Sequence, residues 1–509
     1  MPPDRVHLPS QRQTDEAFMG EHIRPSVHFL SGTLVQNIID EALDVLSQVG
    51  AQIDNPLAMD LLGQSGARID AERRRVFIPS SMVERAIGLA PDTITMFDSS
   101  GETFFTVGGN EVHFDPGSAA LRLFDHSKQM EREAVTADVV RISQLVDRLD
   151  NFHFQSTCLV SSDVPESISD CYRLYIALQH CAKPVVTGTF IVDGFAPMAA
   201  MLTAVRGGAQ ELKKKPLAIF DACPSPPLRW SNLTAQSVID AARMGIPSEL
   251  VAMPLTGATA PVTLTGALVQ HIAENLTGLI IAQLASPGAP VIFGGSPAAF
   301  DMKAGTPPMG AIETMMMDAA YVQIGKALHL PTHAYMGLSD SKCVDMQAGL
   351  ETGMGTLLAA LSGVNVVSGG GMMNYESCQS LEKLVIDNEI CGMAYRLIEG
   401  IHQREEPMLR DLLSDILDGK DFITHPHTLQ WLRTEHTFPK IIDRGTSQQW
   451  VDAGRPTLAD RASKEVQSLL SRDEAPILQP ETRNALNEIM GSHAMRFGLE
   501  RIPCEVDED

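Results

Sequence analysis

A repeat of apolar segments through the middle of the chain constrains the fold more than any other feature of the sequence. The segments are apolar on both faces, as buried parallel strands are. They are Phe152–Val160, Lys183–Phe190, Pro216–Cys223, Ser248–Leu255, Ala289–Ser296, Leu330–Leu338 and Gly363–Gly371. Successive segments start 31, 33, 32, 41, 41 and 33 residues apart, with helical patterns between them. Strand–helix units of this length predict an α/β protein, and more narrowly a (β/α)8 TIM barrel.

The position of the eighth strand is left open by the sequence. It comes either from a predicted hairpin that turns at Gly109–Asn110 or from the region after residue 400. A doubly wound open sheet would also accommodate seven parallel strands. The regular spacing, together with the absence of a GxGxxG motif, favours the barrel.

The regions that flank the repeat predict two further parts of the chain. Residues 1–135 contain an amphipathic helix at 31–50 and the predicted hairpin, which together suggest an N-terminal α+β extension packed on the barrel. The barrel itself is predicted to span residues 136–400. Residues 401–509 carry mostly helical patterns and form the predicted C-terminal region.

The charge of the chain excludes two classes of partner. Its 39 Lys and Arg residues against 63 Asp and Glu residues give a net charge of −24. Such a chain repels nucleic acid and anionic membrane surfaces, so neither is expected as a partner. The same excess of acidic residues would tolerate a cationic substrate. No run of about 18 apolar residues is present, so no membrane span is predicted.

Cysteine usage predicts a reducing compartment. The eight cysteines are scattered and form no CxxC pair, which favours free thiols. Residues Met1 to Ser10 lack the apolar core of a secretory signal, and we therefore expect a cytoplasmic protein. The nearest approaches to a zinc motif are His180–Cys181 and the step from His333 to Cys343. Neither supplies three or four converging ligands, so no directly bound metal is predicted.

Candidate site residues follow from the predicted barrel, because barrel enzymes carry their sites at the carboxyl ends of the strands. The candidates at these ends are aromatic or acidic side chains, namely Phe220, Asp221, Tyr335, Tyr375 and Glu376. The rings could form a cage for a quaternary ammonium group through cation–π contacts. Ordinary core packing explains most of the rings when each is taken singly.

The densest polar segment is the loop Ser339–Gly349, after the sixth predicted strand. It contains Asp340, Lys342, Asp345 and Gln347. Loops at the site end of a barrel carry function more often than other loops do. A solvated turn in which Asp345 caps the next helix explains the same residues, and the sequence leaves both interpretations open.

Two further features of the strands are weaker signals. His333 lies inside an apolar strand, where a histidine is more often a satisfied core residue than a ligand. Gly369, Gly370 and Gly371 end the seventh strand and would allow close approach of a ligand or cofactor. No GxSxG, HExxH or P-loop motif is present. The residues alone therefore predict a barrel enzyme with a polar site at 333–376, without naming its substrate.

Several segments, spread in order over residues 30–480, resemble the trimethylamine methyltransferase superfamily. They are VLSQVGAQIDNPLAMDLLGQSGARID, VHFDPGSA, SSDVP, GATAPVTLTGALVQHIAENLTG, GLSDSKCVDMQAG, LEKLVIDNEICGM and HPHTLQWLRTEHTFPKIIDR. The resemblance implies a TIM barrel, which agrees with the strand spacing. It also implies transfer of a methyl group from an amine to cob(I)alamin, the reduced cobalamin carried by a partner corrinoid protein.

The resemblance further implies a class of substrate. Superfamily enzymes for trimethylamine contain pyrrolysine at the site, whereas this chain consists of ordinary amino acids. Members without pyrrolysine act on quaternary amines such as glycine betaine, proline betaine and carnitine. A quaternary nitrogen leaves as a neutral tertiary amine and needs no proton, so such an enzyme needs positioning and desolvation more than acid–base groups. A homo-oligomer is also expected.

These implications allow hypothetical roles around a molecule of glycine betaine. The residues assigned to its ammonium group are aromatic or acidic, namely Tyr335, Tyr375 and Phe220, with Asp221 or Glu376. The residues assigned to its carboxylate are His333 and Lys342. The residues assigned to the shape of the loop are Asp340, Asp345 and Gln347. The residues assigned to the cofactor are Gly369, Gly370 and Gly371.

Two alternatives stay open. The chain could use another methylated amine, including proline betaine, carnitine or a trimethylamine-like substrate, as the methyl donor. It could also be a non-catalytic barrel that only binds amines. Binding of an amine without methylation of the corrinoid would distinguish the second alternative from the first.

Overall fold

The structure is a computed structural model, and it describes residues 23–503 except 407, 473 and 474. Helices and strands alternate along most of this length, which makes the fold mixed α/β. The seven cysteines within the described residues are free thiols, as predicted. The first 22 residues of the predicted N-terminal extension and the last six of the C-terminal region lie outside the described residues.

The α-helices are Gly32–Asp44, Pro56–Gln64, Ser80–Leu89, Thr136–Asp147, Ser169–His180, Phe195–Arg206, Ala209–Lys214, Asn232–Met244, Leu264–Ala285, Ile312–Ala327, Met346–Ser362, Leu381–Glu399, Arg410–Leu417, Pro426–Glu435, Ser447–Asp452, Leu458–Leu470 and Pro480–Arg496. Short turns of other helix types are Val45–Val49, Glu166–Ile168 and Val192–Gly194. Local signals in the sequence place many of the ends. Ser231 and Ser380 accept a backbone N–H from the first turn of their helices. Gly245 and Gly363 end the helices Asn232–Met244 and Met346–Ser362 in the left-handed conformation.

Eight short parallel strands lie in the central part of the chain, and we label them in chain order. They are β1 His113–Phe114, β2 Gln155–Ser156, β3 Val185–Thr187, β4 Ala218–Ala222, β5 Ser248–Ala252, β6 Val291–Gly295, β7 His333–Tyr335 and β8 Val366–Ser368. Strands β2 to β6 pair in sequence order as one parallel sheet. Strands β7, β8 and β1 form a second parallel sheet in that order.

Backbone contacts join the two parallel sheets at both of their edges. Phe293 in β6 forms a parallel bridge with Thr332, the residue before β7. At the other edge, the N–H groups of His153 and Phe154, just before β2, donate to Phe114 O in β1 at 3.1 and 3.3 Å. The two sheets are therefore in backbone contact at both pairs of edges, β6 with β7 and β1 with β2.

The remaining strands lie outside these two sheets. They are Ala51–Ile53, Arg68–Asp70, Arg75–Phe77, Thr93–Phe97, Phe104–Gly108, Arg122–Asp125, Met130–Glu133, Arg229–Trp230, Leu255–Thr256, Ala298–Ala299, Met372–Met373 and Cys378–Gln379. Leu458–Leu470 packs on the helices Leu381–Glu399 and Thr136–Asp147. Pro480–Arg496 packs on Phe195–Arg206 and Ser169–His180, so the helices of the C-terminal region cover the outside of the central part.

The seven predicted strand segments are confirmed, because each of them contains one parallel strand. The predicted hairpin at Gly109–Asn110 is wrong. Phe104–Gly108 pairs antiparallel with Thr93–Phe97, while β1 leaves the turn to pair in parallel with β8. The cause is Asn365, whose Nδ2 donates to the carbonyls of Gly108 and Glu111 at 2.9 and 2.7 Å. The turn is thus held by the loop before β8 and not by a partner strand of its own.

The additional parallel strand comes from the N-terminal side. β1 precedes the predicted boundary at residue 135, and the described residues after 400 contain helices and no strand. The helix Leu264–Ala285, the most apolar stretch of the chain, is enclosed by other helices and by β5. No described helix combines the length and the apolar character needed to cross a membrane.

Candidate functional site

Four carboxyl groups, two of them buried and two half-buried, meet at the ends of the parallel strands, and we call them the carboxyl cluster. They are Asp115 just after β1, Asp221 in β4, Glu249 in β5 and Glu376 in the loop that follows β8. Each of Asp221, Glu249 and Glu376 has its pKa raised by the charge of Asp115, which shows that the four groups share one region. The strands bring together acidic side chains that are far apart in the sequence.

The register of the strands explains why these side chains meet. Asp221 and Glu249 are Cα partners, so their side chains project from the same face and interact with each other. The next strand carries Gly294, where a Cβ atom would lie 2.7 Å from Nδ1 of His333. Because Gly294 has no side chain, His333 on β7 reaches over β6, and its Nε2 lies 3.2 Å from Glu249 Oε1.

Burial raises the pKa of every member of the carboxyl cluster. The pKa reaches about 7 for Asp115, about 8 for Asp221 and about 8 for Glu376, and that of Glu249 lies well above its ordinary value. Repulsion between the members adds to the effect of burial for the last three. Since a nearby positive charge favours the ionised forms, the cluster is suited to a cationic ligand.

His333 is a neutral donor within this group. Burial lowers its pKa to about 3, and its Nε2 lies 3.0 Å from Ser368 Oγ. The Ser368 hydroxyl itself donates to Asp115 Oδ2. The network therefore assigns the ring proton to Nε2, which donates to Ser368 Oγ. A neutral imidazole whose ring proton is donated to Ser368 offers no positive charge to the predicted substrate carboxylate.

Unpartnered oxygen atoms mark the cluster as a site. Oδ1 of Asp221 and Oε1 of Glu376 are buried and have no hydrogen-bond partner among the described residues. Both side chains nevertheless keep part of their surface accessible. Tyr335 is 5% exposed, and its hydroxyl lies in the field of Asp221, Glu376 and Glu249. Buried polar atoms without a partner cost free energy, which a bound ligand or water recovers.

The loop that carries Glu376 is strained. Asn374, Tyr375 and Glu376 have φ values of 50, 55 and 63°, a left-handed conformation that non-glycine residues rarely adopt. Strain of this kind persists only where the surroundings impose it, often at functional sites. Nζ of Lys342 lies 4.1 Å from the centroid of the Tyr375 ring and donates to Asp340 O at 2.7 Å.

The structure brings some of the predicted site residues together and separates others. Asp221, His333, Tyr335 and Glu376 meet at the cluster, and Lys342 lies with Tyr375. Phe220 does not meet them. It alternates with Asp221 along β4 and packs in the core against Phe195, with ring centroids 4.9 Å apart.

The predicted loop residues have mainly structural contacts. Asp340 accepts the N–H groups of Met309 and Gly310 at 3.0 and 2.8 Å, and burial raises its pKa to about 6. Asp345 is the N-cap of the helix Met346–Ser362, accepting from Ala348 N. Gln347 is exposed on that helix and donates to Glu351 Oε1 at 2.9 Å. The interpretation of the loop as a helix-capping turn thus accounts for Asp345.

The glycine run after β8 is enclosed by the chain itself. A Cβ atom at Gly369, Gly370 or Gly371 would lie 2.8 Å or less from Leu338, Phe152 or Gln379, respectively. Gly370 N donates to Asp115 O, and Gly371 N donates to Asp387 Oδ2 at 2.7 Å. Contacts within the chain therefore account for the absence of a side chain at all three glycines.

Sequence reasoning missed several residues that the structure places at the site. They are Asp115, Arg173, Glu249 and Ser368. Two of them left a signal. Glu249 is a carboxylate inside the otherwise apolar segment SELVAMPL. Arg173 is a charged residue within a helix whose side chains from Ser169 to Leu178 are all buried. A buried charge in an apolar element indicates function more often than packing.

Possible metal ligands lie elsewhere. Among the described residues, Asp170, Cys171 and His493 bring three ligand atoms within 4.8 Å of one another. Asp170 accepts the N–H groups of Cys171 and Phe190, and the Cys171 thiol donates to Gly194 O. The group joins the helices Ser169–His180 and Pro480–Arg496 and is separate from the carboxyl cluster.

The raised pKa of Glu376 predicts a pH-dependent stability. Between about pH 4.5 and 8 the unfolded carboxyl is ionised while the folded one keeps its proton, so the folded state binds more protons and stability falls as pH rises. The buried neutral His271 and His333 act in the opposite direction near pH 6.5. We therefore compare the wild type with Glu376→Gln, which lacks the titrating group.

The expected result is that the wild type loses stability relative to Glu376→Gln as pH rises through this range. Thermal unfolding of both proteins at about pH 5 and pH 8.5 measures the difference. A difference that is equal at the two pH values would show that Glu376 does not have a raised pKa.

Comparisons with known proteins agree with a methyltransferase. The trimethylamine methyltransferase (MTTB) family profile matches residues 5–497. The trimethylamine methyltransferase MttB of Desulfitobacterium hafniense is 29% identical over 459 residues, covering 90% of this chain and 92% of that protein. MttB of Methanosarcina thermophila is 31% identical over 85% of this chain and 90% of that protein.

Two further proteins are similar to the chain. A glycine betaine methyltransferase of Desulfitobacterium hafniense is 27% identical over 95% of this chain and 100% of that protein. The crystal structure of the Methanosarcina barkeri monomethylamine methyltransferase aligns with 86% of this chain and 98% of that chain at 10% identity and a TM-score of 0.46. The family profile and the relatives together span nearly the whole sequence. The chain therefore belongs to the trimethylamine methyltransferase family and is a methyltransferase.

Proposed function

We propose that this methyltransferase takes a methyl group from a quaternary amine, with glycine betaine as the first candidate, and transfers it to cob(I)alamin on a partner corrinoid protein. The product would be the tertiary amine, which for glycine betaine is dimethylglycine. The single observation that carries the proposal is the carboxyl cluster around Tyr335, with its unpartnered oxygens. An enclosed group of acids next to an aromatic ring is suited to a quaternary ammonium ion.

The chemistry of a quaternary amine matches what the site offers. The C–N bond breaks and the nitrogen keeps its electron pair, while the electron pair of cobalt(I) forms the new Co–C bond. The leaving amine is neutral and needs no proton, so the site needs no proton donor beside the nitrogen. The residues of this chain would hold the ammonium group against Asp221, Glu376 and Tyr335 and exclude water from the methyl carbon.

Two arguments favour a quaternary over a tertiary amine. The superfamily enzymes for trimethylamine are expected to contain pyrrolysine, and this chain contains none. The glycine betaine methyltransferase that resembles this chain matches over its full length. Corrinoid protein and amine would both be substrates of this chain, because the corrinoid in this proposal is carried by the partner protein.

We also propose that the eight parallel strands close into a (β/α)8 barrel. The contacts at both edges of the two sheets, Phe293 with Thr332 and Phe154 with Phe114, support closure. The boundaries at residues 135 and 400, the homo-oligomer and the cytoplasmic location stay predictions.

A methyl-transfer assay tests the proposed function. The protein is mixed with glycine betaine and reduced corrinoid, and the loss of cob(I)alamin and gain of methylcobalamin are followed by absorbance. We expect methylcobalamin to form with glycine betaine and not with trimethylamine. If several betaines fail with a corrinoid that a control enzyme methylates, another methyl donor or a protein that only binds amines is the better explanation. Turnover of trimethylamine alone would contradict the proposal.

A further inference from the structure

Arg173 is a buried guanidinium without an ion pair. Its side chain is 1% exposed, and no carboxylate of the described chain lies within ion-pair distance. NH1 donates to Thr157 O at 2.6 Å, while Nε has no hydrogen-bond partner in the part of the chain that the structure describes. A buried guanidinium whose Nε–H has no acceptor costs free energy. This cost indicates that the acceptor is an anion that binds from outside the chain.

The contacts of Arg173 place it at the site end of the strands. Thr157, which accepts from it, follows β2, and its Oγ1 lies 3.1 Å from Thr187 Oγ1 at the end of β3. The next residue, Gly188, lies against Asp221, with 3.5 Å between a Cβ atom there and the Asp221 Cβ. Arg173 is therefore linked to the carboxyl cluster across three neighbouring strand ends.

The charge of Arg173 persists in this setting. Burial lowers the pKa of Arg173 to about 10, with Asp170, Asp221 and Tyr335 among the groups that oppose the shift. The side chain is thus positively charged at neutral pH. It is a cation close to a group of acids, yet no acid among the described residues forms an ion pair with it.

A partly exposed ring covers the guanidinium. The centroid of the Phe190 ring lies 4.3 Å from Arg173 Cζ, and Phe190 is 39% exposed. The backbone of Phe190 is anchored, because its N–H donates to Asp170 Oδ2 at 2.9 Å. Arg173 is therefore shielded by a side chain that itself reaches solvent.

We propose that Arg173 binds the carboxylate of a zwitterionic quaternary amine whose ammonium group lies against the carboxyl cluster. The inference rests on the proposed function and narrows the substrate to amines that carry a carboxylate. Nε–H and the neighbouring terminal N–H form the planar edge to which a carboxylate binds through two hydrogen bonds. Without this cation, a carboxylate held beside Asp221 and Glu376 would be repelled.

Arg173 suits this role better than the two residues assigned from the sequence. His333 is neutral and hydrogen-bonded to Ser368. Lys342 is charged but exposed, with its Nζ over the Tyr375 ring and bonded to Asp340 O. A solvated lysine gains less from a carboxylate than a buried guanidinium does.

The test compares two ligands that differ by the carboxylate. Binding of glycine betaine and of tetramethylammonium to the full chain is measured by titration calorimetry in a carboxylate-free buffer. We expect the wild type to prefer glycine betaine, and Arg173→Met to reduce that preference about 30-fold, since a hydrogen-bonded charge is lost. Arg173→Lys keeps the positive charge but not the planar edge, so its preference for glycine betaine should lie between those of the wild type and Arg173→Met. Lys342→Met removes the other cation that the sequence assigned to the carboxylate, and its preference for glycine betaine should change less than that of Arg173→Met.

Each outcome decides the matter. A selective loss of preference in Arg173→Met supports the inference. Equal weakening of both ligands, or a larger loss in Lys342→Met, would overturn it. If Arg173→Met does not fold, Arg173→Lys decides, because an undiminished preference for glycine betaine in that variant contradicts binding through the planar guanidinium. If neither cation binds the wild type, the proposed function itself fails, which is a different result.

Discussion

The Asp221→Asn, Glu376→Gln double variant is expected to bind tetramethylammonium at least about 100-fold more weakly than the wild type near pH 9. Burial and the neighbouring carboxyls raise the pKa of both groups to about 8, so they are ionised at this pH and attract the cation in an enclosed environment. The amides keep the size and polarity of the side chains but not the charge. Turnover with glycine betaine should fall with the affinity.

The pH dependence makes this prediction sharper. As pH falls from about 9 to 7, the carboxyls of Asp221 and Glu376 take up protons that a cation must displace, so the affinity of the wild type should fall. The affinity of the variant should fall less, because only Asp115 and Glu249 of the cluster still titrate in it. Calorimetry in two buffers of different ionisation enthalpy would detect the released protons. A matched control, Glu211→Gln with Asp240→Asn, removes the same charge from helices away from the cluster. Equal losses in the two double variants would refute a local role for the cluster.

Lys383→Met is expected to destabilise the protein by about 3–5 kcal/mol. Lys383 Nζ lies 2.6 Å from Asp387 Oδ2 and 2.8 Å from Thr352 Oγ1, and the side chains of Lys383 and Asp387 are each 1% exposed. Removal of the cation leaves the buried carboxylate of Asp387 without a positively charged partner. The same carboxylate accepts Gly371 N, so the glycine run after β8 would lose a firm anchor.

Burial, and not the length of the ion pair, is the expected cause. Lys420 and Asp415 form a pair of nearly equal length, 2.7 Å, but their side chains are 59% and 46% exposed. Lys420→Met should therefore cost less than about 1 kcal/mol. The free energy of unfolding in urea measures both variants. Lys383→Met combined with Asp387→Asn should recover most of the loss, because the amide oxygen still accepts Gly371 N without a charge. No recovery would mean that lost packing explains the effect.

The alternation of strands and helices could be read from the sequence because it depends on neighbours along the chain. Apolar runs, glycines at helix ends and caps such as Asp345 act within a few residues. For the same reason the sequence located the strand ends, and with them Asp221, Tyr335 and Glu376. The family followed from the order of several segments.

Tertiary structure decided which side chains meet. Phe220 and Asp221 are neighbours in one strand, but only the packing of helices on the outer face fixes which of them turns to the core. β1 joins β8 because Asn365 holds a turn more than 250 residues away in the chain. Asp115, Arg173 and Glu249 come together only through the register of strands, which the sequence does not encode locally. The long-range pairing of strands therefore creates the site, whereas short-range patterns create the elements that carry it.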